Sequence, residues 1–427
     1  MEVKNSSLCI FDQPAVQTDF ITNTPTDYYP LTNVTAGGPF EFVIPGSADE
    51  YIDVNDIQLY VLAKVIRADG KDIDSAADKV GLTNLPISSL FQDVSLTIED
   101  KQIEGGQMCY PYLGYFSTVM QFTPAAQVSH MQALGWYKDE AGSFDNETNV
   151  GFRKRSALIE DSKTFELMGP LFLDFFRQSQ YLISQTKMRI KLLPSKPEFA
   201  LNAYGATKDF KIQFEEVVLY VPRVKLNPSV INGHALGLKK QNAIYPLLHT
   251  ELTTFTIPIG QKSFKKDRLF PDEAPKLLLA AMVSNSAYNG DIKKNPFHFH
   301  HFGLDSLTLY RDGLSVSGRP FTPDFANGKA LRSYLQTMQT FQYYNNDDTN
   351  GLTLNEFING YTIFAFDLTA DKDITAAHRQ GRATRNLRLD LTFTDPTKET
   401  INVLLYAVYD SKIEITQHRD TITHYTR

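Results

Sequence analysis

The 427 residues are 42% hydrophobic and 21% charged, with a formal charge of −7. That is a folded, globular composition, long enough for two or three domains at roughly 100–200 residues each. The acidic balance excludes a surface built mainly to hold nucleic acid, which needs concentrated Lys and Arg, and two cysteines, Cys9 and Cys109, exclude a disulfide framework.

The opening MEVKNSSLCIFDQP has no basic start followed by an apolar block, so no secretory signal is expected, and residues 1–30 read as an N-terminal arm. Sequons at Asn5, Asn33 and Asn146 are then expected to be chance matches. Short alternating segments follow: PFEFVIP (39–45), DIQLYVLAKVI (56–66) and DVSLTIED (93–100). Further along come KMRIKL (187–192) and FKIQFEEVVLYV (210–221). In KMRIKL, Met188, Ile190 and Leu192 share one face while Lys187, Arg189 and Lys191 share the other, the period of a half-buried strand. Phe and Tyr, 29 and 21 of them, reinforce the preference for strands. The run LLLAAMV (277–283) is far shorter than the ~20 residues of a membrane helix and reads as one buried strand. Two helices are predicted, in PYLGYFSTVMQF through Tyr112, Phe116, Val119 and Met120, and in GKALRSYLQTMQTF through Leu331, Tyr334, Leu335 and Met338.

Several of these segments come back. SLTIEDKQIEGG from Ser95 is answered by SLTLYRDGLSVSG from Ser306, each an apolar alternation running into a polar turn. FVIP at Phe42 is answered by FTIP at Phe255, YFSTVMQF ending at Phe122 by YLQTMQTF ending at Phe341, MRIKL at Met188 by LRLDL at Leu387, and VVLYV at Val217 by VLLYA at Val403. Five matches in the same order predict one β-domain written twice. Leu96 is expected to match Leu307, Ile190 to match Leu389, and Leu219 to match Leu405. The join falls in residues 227–242, rich in Pro and Gly turn signals, between a first copy over 31–226 and a second over 243–427 that ends in a C-terminal tail. Copies of about 200 residues suit eight-stranded antiparallel jelly rolls, so the expected fold is all-β, two jelly rolls in tandem with short helices in their loops.

Candidate chemistry is sparse. NPFHFHHFG gathers His298, His300 and His301, with His298 and His300 expected on one strand face, yet no further ligand follows at zinc-type spacing. NNDDTNGLTLNEF places Asn346, Asp348 and Asn350 like calcium-loop ligands around Gly351, but Phe357 stands at the twelfth position and Glu356 one place early. GHALGLKK has its glycines too close for a phosphate loop, and Asp53 with Asp56 reads as solvated surface rather than a glycosidase pair. The run KSFKKDR (262–268) reads as an exposed basic loop, and the long polar loops 138–150 and 339–353 as inter-subunit contacts or an outer tower. No catalytic, cofactor-binding or metal-binding residue is assigned, and no enzyme activity is expected.

Long strings across residues 37–415 carry a resemblance. GGPFEFVIPGSADEYIDVNDIQLYVLAKVIRADG, KKNPFHFHHFGLDSLTLYRDG, NGYTIFAFDLTAD and NVLLYAVYDSKIEI resemble the double jelly-roll major capsid proteins of Polinton (Maverick) elements and adintoviruses. The resemblance implies a hexon-like subunit that forms pseudo-hexameric homotrimers in the icosahedral capsid of a double-stranded DNA virus or virus-like transposon. It implies penton and minor capsid proteins as partners, a place in the virion after assembly inside the host cell, and no sequence-specific nucleic-acid contact. Beside it stands a tandem β-sandwich carbohydrate-binding protein, which would offer exposed aromatics and calcium-type carboxylates on the loops of one edge.

Overall fold

The computed structural model describes residues 17–207, 209–374 and 386–424. Cys9 and the sequon at Asn5 lie outside them. The first half holds β1 (Phe20–Tyr28), β2 (Phe40–Ile44), β3 (Glu50–Ile52), β4 (Gln58–Arg67), β5 (Val80–Leu82), β6 (Phe91–Ile98) and β7 (Lys101–Glu104). It continues with β8 (Phe165–Pro170), β9 (Met188–Pro194), β10 (Leu201–Ala203) and β11 (Phe210–Leu226). The second half holds β12 (Ala243–Ile257), β13 (Ser263–Lys266), β14 (Leu277–Ser284), β15 (Leu304–Arg311) and β16 (Leu314–Ser315). After these come β17 (Ile363–Asp367), β18 (Leu387–Phe393), β19 (Ile401–Ile415) and β20 (Thr421–Thr423). The longer described helices are α1 (Tyr110–Gln121), α2 (Val150–Ala157), α3 (Pro228–Leu238) and α4 (Leu331–Thr340). Both predicted helices are thus present as α1 and α4.

Strand order repeats. In the first half β1-β11-β4-β8 faces β2-β9-β6-β7, and in the second β12-β19-β14-β17 faces β13-β18-β15-β16. Each position in one set has its counterpart in the other, and the ladders are antiparallel. Two eight-stranded sandwiches of one topology stand in tandem, and α1 and α4 occupy the same connection, after the hairpin and before the next strand. Strand β1, inside the expected arm 1–30, holds the place in the first sandwich that β12 holds in the second, and α3 fills most of the expected linker.

The returning hairpin is β6–β7 and β15–β16. Both long strands carry a bulge, at Phe91/Asp93 and at Leu304/Ser306, and both turns are tight, closed by Ile98–Lys101 and Arg311–Leu314. The second turn has Asp312 and Gly313 at φ 51° and 84°, the left-handed pair that a two-residue hairpin requires. Counting from either landmark aligns Leu96 with Leu309, so the expected match to Leu307 is two residues out. Ile190 pairs with Leu96 and Leu389 with Leu309, which keeps Ile190 and Leu389 equivalent. A slip of two leaves every side chain on its own face, and Leu96, Leu307 and Leu309 are all at most 2% exposed. Leu219 and Leu405 lie buried on the counterpart strands β11 and β19. The FVIP–FTIP match is overturned. Phe42 pairs with Ile190 across β2–β9, whereas Phe255 pairs with Val403 across β12–β19, in the opposite sheet of its sandwich.

One hydrophobic core runs through both sandwiches. In β4 the inward Leu59, Val61, Ala63 and Val65 are fully buried while the outward residues are half-exposed. Strands β14 and β17 are buried at every position, on both faces, which is why LLLAAMV shows no alternation. On the second face of that sheet α4 lies over β17, where Thr337 and Thr340 donate to the Ile363 and Ala365 carbonyls, and α1 of the first half lies over β19. Phe116 of α1 stacks on Phe299 at 5.0 Å and meets Tyr406 at 5.4 Å, and Tyr115 stacks on Phe297 at 4.0 Å. Side chains of this size contribute about 1.5–3 kcal/mol each on full burial.

Candidate functional site

The polar groups that sequence reading missed collect at the seam between the sandwiches. Loop 138–150, read from the sequence as an inter-subunit contact or an outer tower, straps the two halves of its own chain together. Lys138 pairs with Glu356 at 2.7 Å, Tyr361 donates to the Asp139 carbonyl at 2.8 Å, and Gly142 N–H donates to the Asn359 carbonyl at 2.8 Å. Asn295 N–H donates to Asp145 at 2.6 Å, and Phe144 stacks on His298 at 4.7 Å. Beneath the strap lies an ion pair with no exposed surface. Arg155 of α2 donates to Asp139 at 2.6 Å, to the Leu82 carbonyl at 2.8 Å and to the Tyr137 carbonyl at 2.6 Å. Asp139 also accepts from Asn149 at 2.9 Å and from Asn295 of the second half at 3.2 Å. Asn149 uses its amide oxygen to cap α2, so one short segment both starts a helix and seats a buried charge. In sequence Arg155 sits among exposed or partly exposed Arg153, Lys154 and Ser156, and nothing in that run separates it from them.

A second seam cluster is acidic. Glu104, at the end of the first hairpin, accepts from the backbone N–H groups of Asp174 and Phe175 at 2.8 and 2.7 Å. Asp174 in turn accepts from Thr250 of β12, through its N–H at 2.6 Å and its hydroxyl at 2.9 Å, with His249 Nδ1 at 3.7 Å. Burial and the neighbouring Asp174 charge push Glu104 up to about 8, and burial pushes Asp174 up to about 6 against the pull of Arg177. These groups, with Cys109, line a cavity of about 350 Å³. Burial pushes the Cys109 thiol up to about 12, a poor nucleophile.

The histidines do not form a strand face. Residues 298–301 run through a turn and an isolated bridge, Phe299 to Tyr361, so His298 and His300 are not held in register by a ladder. His298 Nδ1 meets Asp145 at 2.8 Å, while His300 and His301 each accept a backbone N–H, from Phe302 at 2.9 Å and Gly303 at 3.0 Å. Burial and neighbouring imidazoles lower His300 and His301 to about 4, so both are neutral near pH 7. Among the described residues no three His, Cys, Asp or Glu side chains gather as a metal site.

The other candidates resolve locally. Glu356, the near-miss calcium ligand, closes a capping box with Thr353 while holding Lys138. KSFKKDR is not a loop, for Ser263–Lys266 is the edge strand β13, and its exposed lysines shield that edge against further pairing. GHALGLKK lies along the C-terminal half of the exposed α3, where His234 meets the Tyr51 hydroxyl at 3.0 Å. Asp53 precedes and Asp56 ends a single 3-10 turn. Ser129 lies 3.4 Å from His130, but its hydroxyl donates to the Ala125 carbonyl at 2.6 Å. Loop 339–353 folds back as well, with Tyr343 donating to the Met120 carbonyl. No described helix is long and apolar enough to cross a membrane.

Two like sandwiches fused through one core and strapped by a polar seam define a double jelly roll. No protein-family model matches the chain. The uncharacterized protein F54H12.2 of Caenorhabditis elegans is 25% identical over 402 residues, spanning 91% of this chain and 93% of its own length. Among solved structures the chain is similar to one in the Sputnik virophage, with a TM-score of 0.63 and 15% identity over 99% of this chain and 92% of that one. It is similar to one in the PBCV-1 virus capsid, with a TM-score of 0.60 and 12% identity over 98% and 100% of the two chains. The mavirus major capsid protein gives a TM-score of 0.56 and 11% identity over 99% and 94%. At these identities the likeness is one of fold.

Proposed function

We propose that this chain is a major capsid protein, of the kind carried by Polinton (Maverick) elements and adintoviruses, whose working unit is a homotrimer that tiles an icosahedral shell. The observation that carries this reading is the repeated strand order along the chain. Two like sandwiches in one chain give six similar lobes in a trimer, a unit that packs among six neighbours as a hexagon does. The first sandwich is taken as 31–226 with β1 reaching in from the arm, the linker as 227–242, and the second sandwich with its tail as 243–427. Its neighbours in the shell are copies of itself, penton protein at the fivefold vertices and minor capsid proteins. Its place is the virion, after assembly inside a host cell. The charge of −7 suits contacts made mainly with protein, leaving the genome to other components. The seam clusters serve as structural ties within the subunit rather than as a reactive centre. Native mass measurement tests the reading, with an expected species at three times the 48.3 kDa chain and triangular-to-hexagonal particles in negative stain. A protein that stays monomeric across concentration, pH and salt refutes it.

A further inference from the structure

The contact between the two halves has an unused counterpart on each of them. Within the chain, α1 lays Tyr112 and Phe116 on the second half, Tyr112 against Phe297 at 5.6 Å and Phe116 against Tyr406 at 5.4 Å. All four rings are at most 3% exposed. The same helix recurs as α4, and the correspondence of YFSTVMQF with YLQTMQTF sets Leu331 in the place of Tyr112 and Leu335 in that of Phe116. On α4, Thr337 and Thr340 turn inward and donate to the β17 carbonyls of Ile363 and Ala365 at 3.0 and 3.4 Å. Leu331 stands 56% exposed and Leu335 is half-exposed. The second half thus presents an apolar face that projects furthest at Leu331.

The matching surface is on the first half. The correspondence of VVLYV with VLLYA sets Tyr220 of β11 in the place of Tyr406 of β19. Around Tyr406 the outer face of its sheet is closed over by α1. Around Tyr220 it is open, with Tyr60 and Leu62 half-exposed and Met168 41% exposed. The open face is also acidic, since Glu166 and Glu216 lie in register with Leu62. The loop leading into α4 is basic, with Arg319 and Lys329 exposed.

We infer that Leu331 and Leu335 of one chain dock on the Tyr220–Tyr60 strip of a second copy, repeating between chains the contact that Tyr112 and Phe116 make within one. The inference rests on the capsomer reading and specifies which surfaces build it. Each chain offers two different patches, so the contact is head-to-tail and closes only as a ring. Apolar side chains seal its centre and opposite charges set its rim, the usual division in a protein interface.

Cysteine pairing tests it directly. A Leu335→Cys, Tyr220→Cys double variant, mildly oxidised and run without reductant, should give covalent dimers and trimers and nothing larger. The parent, with its native cysteines, and each single variant should give neither. Leu331→Glu places a like charge opposite Glu166 and Glu216 at an exposed position, so its circular dichroism and melting should match the parent. Trimer dissociation should strengthen by about tenfold or more, the effect of ~1.4 kcal/mol. A parent that is trimeric by native mass, combined with no cross-link and an unweakened Leu331→Glu trimer, overturns this inference and leaves the capsomer reading standing. A monomeric parent overturns both.

Discussion

Replacing Arg155 with Met should be among the most damaging single changes available in this chain. The side chain has no exposed surface and each of its three nitrogens donates a hydrogen bond, to Asp139, Leu82 and Tyr137. Arg155→Met preserves the stem's volume and strands the Asp139 carboxylate together with two buried carbonyls. Removing one partner of a buried ion pair costs about 3–5 kcal/mol, against a total stability of ~5–15. The two abandoned carbonyls place the loss toward the upper end of that range. The chain's single tryptophan reports on this spot. Trp136 is 1% exposed, adjoins Tyr137 in sequence and packs on Tyr115 at 5.5 Å. In a urea titration its emission should shift to the red at markedly lower denaturant in the variant. Adding Asp139→Asn removes the stranded charge but keeps a side chain that can meet Asn149 and Asn295, and should recover part of the loss. A single variant that loses under about 1 kcal/mol, or a double variant weaker than the single, would refute the assignment of this pair as the tie beneath the strap.

Three further outcomes are expected. Leu96→Asp and Leu309→Asp each bury an unpaired charge in a sandwich core and should abolish soluble expression, and normal folding of both would show that the hairpins are not core. Glu104 and Asp174 are both held above the free carboxyl range, so the folded seam keeps protons that the unfolded chain releases. Their contribution is therefore largest below the free carboxyl pKa and is lost as pH rises toward about 8. Glu104→Gln should flatten that fall, read as urea midpoints compared with the parent near pH 5 and near pH 9, and an equally steep fall in the variant would contradict it. A chelator, or the His298→Ala, His300→Ala double change, should leave assembly intact, whereas stoichiometric zinc or calcium lost together with the fold would overturn the absence of a metal role.

Much of the fold could be read from the sequence because its carriers are periodic. KMRIKL alternates as β9 does, with Met188, Ile190 and Leu192 fully buried, and the two helical spacings are α1 and α4. The repeat was visible for the same reason, but strands draw on a small alphabet, and letters alone could not fix its register. SLT at Ser95 and SLT at Ser306 sit two residues apart on the common frame, a slip that preserves facing and so leaves no trace in the pattern. FVIP and FTIP matched across opposite sheets, since any strand ending at a proline turn can spell that way. KSFKKDR read as a loop because an edge strand needs its lysines outward and so loses its apolar face. The seam was illegible. Its partners, such as Glu104 with the Asp174 backbone or Asp145 with Asn295, are joined by tertiary packing across dozens of residues, and no local spacing encodes them.

The double-sided burial of β14 and β17 bears on how the protein can be made. A sheet apolar on both faces has no soluble form until something lies over each of them, and while α4 covers β17, the cover on Tyr406 of the neighbouring β19 is α1 of the first half. The ribosome delivers α1 long before β14, so the nascent chain already holds the surface on which its later strands will settle. The first sandwich alternates wet and dry along β4, whereas its counterpart in the second, β14, is buried along both faces. Expressed separately, residues 243–427 should aggregate, and supplying the first sandwich during synthesis, rather than afterwards, should rescue them. The duplication has thus left one half as the scaffold on which the other is assembled.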